Sequence, residues 1–460
     1  MSDEQPTSTE LALPEAVARW VESTAGGVLA DARRMPGGGR REAWFVDVKR
    51  ASGESDALFL RLDRGASVRA DAYDTVREAQ IYQALHAAGM LVPRVLGVLR
   101  SPQAVLSERV SGETWFSRIR DPKQQLAVAQ DFMRWLAKLH RIDARTLDIP
   151  ALPKLADTAT HLREELDAWE ATYRVDPEVT DPLIEFALVW LRRNVPNNLA
   201  SPVLVQGDTG PGNFLYEGER VKAILDWELA HWSDPMDDIA WLSLRAVQEP
   251  FTHFPDRLRE YEQHSGIRID AQRVRYFRVF AEARIVIMGH GRRNKPSTKG
   301  EVGNGLIYGA LHHRLLVETL ADVMGAKLER FTLPDAPARE HAFFFEAALA
   351  QLRDVIVPRS ADPFVVLRAK GLARILKYLQ DCDRLAGVFE EQELGDLTEL
   401  LGERPASVEA GREALVPLVR ERARSDEQLL RYFHRWTTRR TALAASASGV
   451  LAERHYPPLG

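Results

Sequence analysis

Residues 204–235, LVQGDTGPGNFLYEGERVKAILDWELAHWSDP, carry three oxygen-bearing side chains at a spacing that suits phosphoryl transfer. Asp208 follows a strand-like run, Asn213 lies five residues on, and Asp226 ends a second strand-like run. Two carboxylates and an amide at strand ends, joined by a tight hairpin, can converge on one volume. Phosphoryl transfer needs an acceptor hydroxyl that is oriented and relieved of its proton, and divalent cations that neutralise charge on the moving group. Asp208 is the candidate base. Asn213 and Asp226 offer the hard oxygen ligands that Mg²⁺ takes. The bend Gly210-Pro211-Gly212 is expected to turn Asn213 back towards the metal.

The flanking pattern supplies the elements that must hold these groups. LALPEAVARWVEST (11–24) has helical spacing, with Leu13, Val17 and Trp20 on one face. Trp44, Val46 and Val48 alternate with Phe45, Asp47 and Lys49, and the turn cluster 51–55 leads to a second apolar strand, ALFLRLD (57–63). The pair reads as a hairpin. A helix follows, closed by Gly89 as a C-cap, and then two short strands, VPRVLGVL and QAVLSERV. After Gly112 the pattern turns helical, apart from the strand-like runs SPVLVQGD and VKAILDWE, read as an embedded hairpin. The polar loop RRNKPSTKGEVGNG and the break ERFTLPDAPARE (329–340) interrupt the later helices. Asp234 reads as a helix N-cap, Pro235 as the first helical residue, and Asp237 as an acidic residue at the positive helix end.

The spacing D-x-x-x-x-N followed by a strand-terminal Asp is that of kinase catalytic and metal-binding loops. The wording QGDTGPGN…ILDWELAHWSDPMDDIAWL resembles the aminoglycoside-phosphotransferase-type family, in particular a broad bacterial branch related to kinase domains fused to some acyl-CoA dehydrogenases. The likeness extends over roughly residues 12–325. It implies an α+β, two-lobed protein-kinase-like fold with a small β-rich N-lobe and a mainly helical C-lobe, followed by an all-helical C-terminal domain. The expected division is a nucleotide-binding lobe at 11–110, a helical catalytic lobe at 111–328, and a C-terminal helical domain of unknown role at 336–455.

Further site residues come from the same resemblance. PGGGRREAWFVDV looks like the family's glycine-rich nucleotide loop, which places Gly37, Gly38 and Gly39 at the phosphates. Arg61 stands where kinases hold a phosphate-contacting lysine, and Glu78 matches the glutamate that pairs with that cation. LSERVSG (106–112) is similar to the interlobe hinge, where backbone groups from Glu108 to Val110 would meet adenine. Asp238 matches an aspartate that braces the catalytic loop, and Glu228 lies beside the metal-binding Asp226. His290, His312, His313, Arg284, Arg292 and Arg293 fall on helices expected to floor the acceptor pocket. Two positions depart from the pattern: Gln206 replaces a histidine, and Arg61 brings a planar fork where a point charge is usual.

The resemblance implies ATP and Mg²⁺ as cofactors, and as acceptor a small-molecule hydroxyl on a hydroxy acid, an acyl thioester or an aminoglycoside-like alcohol. The rival reading is a catalytically idle nucleotide-binding scaffold whose C-terminal helical domain recruits a partner. That domain is also the candidate surface for a homo-oligomer.

Bulk properties narrow the classes further. The 460 residues exceed one ordinary core, and 45% apolar with 28% charged residues is globular usage. Lys plus Arg total 61 against 66 Asp plus Glu, with no basic block, which argues against nucleic-acid or membrane-surface binding. The single Cys382 forms no internal disulfide, the acidic start MSDEQPTSTE is unlike a signal peptide, and no apolar run is long enough to span a bilayer. A cytoplasmic location is expected.

Overall fold

Among the described residues, four helices open on the dipeptide Asp-Pro, at 121–122, 181–182, 234–235 and 362–363. In each, the aspartate carboxylate accepts a backbone N–H of the first turn, and the proline sits where no N–H donor is needed. The expected roles of Asp234 and Pro235 are thus met, and the same device starts three more helices.

The computed structural model describes residues 13–35, 41–63, 74–294, 300–330, 332, 334, 336–337 and 339–460. The chain begins with α1 (Glu15–Ala25), β1 (Val28–Arg34), β2 (Arg41–Lys49), β3 (Ser55–Asp63) and α2 (Thr75–Ala87). Then come β4 (Val95–Arg100), β5 (Gln103–Glu108), α3 (Pro122–His140), α4 (Thr158–Tyr173) and α5 (Pro182–Arg193). The middle holds β6 (Val203–Val205), β7 (Phe214–Glu217), β8 (Arg220–Ile224), β9 (His231–Ser233), α6 (Pro235–Gln248) and α7 (Phe254–Ser265). Helices α8 (Ala271–Asn294), α9 (Val302–Met324), α10 (Ala342–Ala350), the single turn α11 (Val357–Arg359) and α12 (Pro363–Leu401) follow. The last two are α13 (Val408–Arg420) and α14 (Asp426–Ser448). No helix among the described residues is long and apolar enough to cross a membrane.

The chain divides into two compact units. The first comprises residues 1–158, 200–269 and 458–460, and the second residues 159–199 and 270–457. This division differs from the sequence boundaries near 110 and 328–336. Both the N-terminal sheet and the segment 200–269 fall in the first unit, whereas α12 to α14 fall with α5, α8 and α9 in the second. The reason is packing: α12 and α14 lie against α9, and α13 lies against α5, so their apolar faces share one core.

The first unit carries an antiparallel five-stranded sheet in the order β1-β2-β3-β5-β4. Trp44, Val46 and Val48 point inward from β2, as their alternation requires, and meet Leu58, Leu60 and Leu62 of β3. Val17 and Val21 of α1 close that core from one side. Each fully buried valine or leucine contributes roughly 1.5–3 kcal/mol. Gly89, at φ +73°, ends α2 in the left-handed conformation expected of it.

The middle strands pair otherwise than their sequence order suggests. β7 and β8 form a tight hairpin around Gly218, while β6 pairs with β9. Runs 203–205 and 220–224 therefore belong to separate two-stranded sheets, and β8 stops at Ile224, two residues before Asp226. Asp131 of α3 fixes the hairpin by accepting the Val221 N–H at 2.8 Å. Phe116, Phe132, Phe214 and Phe251 pack ring on ring behind it, with centroids 4.7–6.3 Å apart. That cluster anchors Phe214, the residue after Asn213.

Candidate active site

The loop between β6 and β7 is built around a buried carboxylate. Asp238, near the start of α6, accepts the Gln206 N–H at 2.9 Å and the Gly207 N–H at 3.0 Å. It also accepts the Thr209 hydroxyl and lies 3.1 Å from His140 Nε2. His140 Nδ1 is in turn 2.7 Å from the Tyr261 hydroxyl. A buried carboxylate with this many donors is fully satisfied and fixes the loop's path. Gly207 is required in that path: its φ is +78°, and a Cβ there would stand 2.4 Å from the Leu229 carbonyl oxygen. The Gln206 side chain donates to the Leu225 carbonyl at 2.6 Å, tying the loop to the segment that carries Asp226.

Asp208 and Asn213 come together across this loop. Asn213 Nδ2 donates to the Asp208 backbone oxygen at 2.7 Å and to its Oδ2 at 2.8 Å. With the amide nitrogen so committed, Oδ1 is the Asn213 atom that can ligate a cation. Arg245 of α6 grips the same carboxylate, Nε donating to Asp208 Oδ1 at 2.8 Å and Nη2 to Oδ2. Burial pushes the Asp208 carboxyl above the ordinary carboxylate range, Arg245 pulls against that shift, and the charge of Asp226 adds to it.

Asp226 sits in the left-handed region at φ +63°, a conformation that aspartate tolerates better than most residues. Its backbone N–H donates to the Tyr82 hydroxyl at 3.0 Å. Arg61 of β3 bridges Glu78 of α2 and Asp226, its Nη1 on Glu78 Oε1 and its Nη2 3.4 Å from Asp226 Oδ1. Burial alone would weaken the Arg61 charge, but Glu78 and Asp226 outweigh it and hold the guanidinium well above its ordinary value. Arg77 of α2 binds the Glu228 carbonyl at 2.9 Å and the Ala230 carbonyl, securing the chain after Asp226.

The structure therefore holds two groups, Asp208 with Asn213 and Asp226 with Arg61 and Glu78, tied through the backbone where the Leu225 N–H donates to the Asn213 carbonyl at 2.8 Å. In the segment expected to form a hinge, Glu108 N–H is bound to the Arg94 carbonyl at 3.0 Å and Arg109 N–H to the Ala57 carbonyl at 3.2 Å. Val110, two residues past the end of β5, takes no part in that ladder. Gly37, Gly38 and Gly39 lie outside the described residues, as do the side chains of Arg292 and Arg293. Asp237 accepts from Ser233 Oγ at 3.0 Å and lies 3.1 Å from His231 Nε2, holding β9.

Sequence reasoning missed Arg245, Tyr82 and Arg77. Tyr82 stands four residues after Glu78 on the same helix, and that spacing was a usable signal. Arg245 had none, because its partner lies 37 residues earlier in the chain.

The donor set fits a hard divalent cation: a carboxylate and an amide oxygen, with no soft ligand. No group of three or more His, Cys, Asp or Glu side chains among the described residues could hold an ion alone. Phosphate oxygens of a bound nucleotide would complete the ligand set.

Comparison with known proteins bears on the same region. The family model "Phosphotransferase enzyme family" matches residues 31–277. Acyl-CoA dehydrogenase family member 11 of Rattus norvegicus is 28% identical over 200 residues, which are 41% of this chain and 25% of that protein. Its Homo sapiens counterpart is 25% identical over 227 residues, 45% of this chain and 29% of that protein. The matched region thus spans between a quarter and a third of the length of these relatives. A solved structure of a candidate aminoglycoside phosphotransferase from Ralstonia eutropha JMP134 is 18% identical, with a TM-score of 0.54 over 68% of this chain and 98% of that one. That likeness, with the five-stranded N-terminal sheet and the helical remainder, establishes the kinase-like α+β fold.

Proposed function

Because the chain belongs to the phosphotransferase enzyme family, we propose that it moves the γ-phosphoryl group of ATP to a hydroxyl of a small molecule. What supports this reading is the Asp208–Asn213 pair beside the Arg61–Glu78 pair that reaches Asp226, the two tied where the Leu225 N–H donates to the Asn213 carbonyl at 2.8 Å. Asp208 orients the acceptor O–H and takes its proton as the new O–P bond forms, while ADP leaves with the electron pair of the old one. Arg61, held by Glu78, steadies the nucleotide phosphates. Backbone groups from Glu108 to Val110 would meet the adenine. Asn213 and Asp226 would hold Mg²⁺, whose charge, when bound, offsets the charge on the phosphoryl oxygens. A hydroxy acid or a hydroxylated acyl thioester is the preferred acceptor, supported by the acyl-CoA dehydrogenase names of the curated relatives.

One observation favours a second reading, the idle nucleotide-binding scaffold: both oxygens of Asp208 are already paired with Arg245. A single assay separates the two. The chain is incubated with ATP, Mg²⁺ and a panel of hydroxy acids, hydroxyacyl thioesters and aminoglycosides, and phosphorylated product is read by mass. Transfer is expected to at least one acceptor and to collapse in Asp208→Asn, which keeps its nucleotide-dependent thermal shift. ATP binding without product from any acceptor, or undiminished transfer by Asp208→Asn, sinks the catalytic reading.

A further inference from the structure

Residues 227–230 make a tight turn directly after Asp226, closed by the Ala230 N–H on the Trp227 carbonyl at 3.1 Å. That bond leaves the carbonyls of Glu228, Leu229 and Ala230 without a partner inside the turn. Side chains take all three. His231 Nδ1 lies 2.8 Å from the Leu229 carbonyl. Arg77 of α2 donates through Nη1 to the Glu228 carbonyl at 2.9 Å and through Nη2 to the Ala230 carbonyl. Ala230 is fully buried, where a carbonyl stripped of its donor is costly. The residue type suits the task, since two N–H groups of one planar guanidinium fix the spacing of two carbonyls as a compact ammonium does not.

This turn touches both halves of the candidate site. Asp226 precedes it immediately and holds a φ of +63°. On its other side Leu229 packs on Gly207, where a Cβ would stand 2.4 Å from the Leu229 carbonyl oxygen, and Asp208 is the next residue. We propose that Arg77 is a positioning residue for both carboxylates. By clamping the turn it keeps Asp226 in its left-handed conformation and Leu229 seated against Gly207, beside Asp208. The proposal rests on the phosphotransferase reading above.

Placement on α2 adds a coupling. Arg77 is followed by Glu78, the partner of Arg61, and then by Tyr82, which accepts the Asp226 N–H at 3.0 Å. Three side chains within a turn and a half of one helix thus hold Arg61, Asp226 and the turn behind Asp226. An α-helix keeps neighbouring residues in a fixed relation. A shift of α2 that parts Glu78 from Arg61 therefore also draws Arg77 off the turn. The cation expected at the nucleotide phosphates and the two carboxylates are set by the position of the same helix.

ATP binding by the full chain, titrated with Mg²⁺ in Arg77→Met and Arg77→Lys, tests this. The first variant removes the donors and keeps an unbranched stem; the second keeps a charge without the fork. Arg77→Met is expected to raise the Mg²⁺ concentration for half-maximal binding about tenfold, the worth of one hydrogen bond to a charged group, and Arg77→Lys about threefold. Excess Mg²⁺ should return ATP affinity to within about twofold of wild type, while turnover stays roughly tenfold down because Asp208 is displaced whatever the metal occupancy. A lowered Tm with unchanged metal dependence would assign Arg77 to folding alone and overturn the proposal. Should Arg77→Met fail to fold, Arg77→Lys carries the test, and wild-type metal dependence and turnover in it overturn the proposal equally. A wild-type chain that binds ATP no better with Mg²⁺ than without would sink the phosphotransferase reading and this proposal with it. Mg²⁺-dependent binding by wild type, unaltered in both variants, sinks the positioning role alone.

Discussion

Arg245 and Asp208 form a two-point pair, guanidinium fork on carboxylate, although 37 residues separate them in sequence. The fork fixes the plane of the Asp208 carboxylate and lowers its basicity, against a burial effect that raises it. Arg245→Ala removes the lowering influence, so the Asp208 pKa rises further. A base must be deprotonated to act, so the acidic limb of the pH–rate profile should move to higher pH. Turnover should fall about 100-fold at neutral pH, with the KM for ATP changed less than about twofold. Arg245→Lys should restore the pH profile more than the rate, because it returns the charge without the fork. An acidic limb that stays in place in Arg245→Ala would refute the pairing's role.

Tyr82 supplies the acceptor for the backbone N–H of Asp226, whose φ is +63°. Tyr82→Phe leaves that N–H without its partner, at a cost of about 1–3 kcal/mol. The Mg²⁺ concentration for half-maximal nucleotide binding should rise several-fold, measured by titration calorimetry. Unaltered metal dependence would separate Tyr82 from the metal site.

Glu78 is buried and holds Arg61, which is about a quarter exposed. Removing one partner of a buried pair costs ~3–5 kcal/mol, and the exposure of Arg61 reduces this to about 2 kcal/mol for Glu78→Gln. A drop in Tm of about 4–8 °C should follow, with a KM for ATP raised roughly tenfold. Retained ATP affinity would show that Arg61 does not depend on this partner.

Gly207→Ala places a methyl group where the Leu229 carbonyl oxygen would be 2.4 Å away, at a φ that alanine disfavours by about 1–2 kcal/mol. The loop must shift, and Asp208 with it. Turnover should fall by more than tenfold while nucleotide-induced thermal stabilisation persists. Wild-type turnover in this variant would mean that the braced loop does not position Asp208.

Local chemistry was legible in the sequence wherever the signal is itself local. The alternation at 44–48 placed the core face of β2, Asp234-Pro235 started α6, and Gly89 closed α2, since each depends on backbone geometry within a few residues. The pairing of Arg61 with Glu78 was legible through resemblance to known motifs, and the structure brings the two together. Strand partners were not. The runs that hold β6 and β8 both read as strands, and only the path of the chain decides that one joins β9 and the other β7.

Sequence by itself determined the order and type of the candidate site's groups, because side-chain chemistry travels with the residue. The tertiary structure alone decided that Arg245 grips Asp208, that Asp238 gathers Gln206, Gly207, Thr209 and His140, and that α12 to α14 share a core with α5 and α9. Such contacts join residues tens to hundreds of positions apart. They depend on how helices and strands pack in three dimensions, for which no short stretch of residues carries a signal.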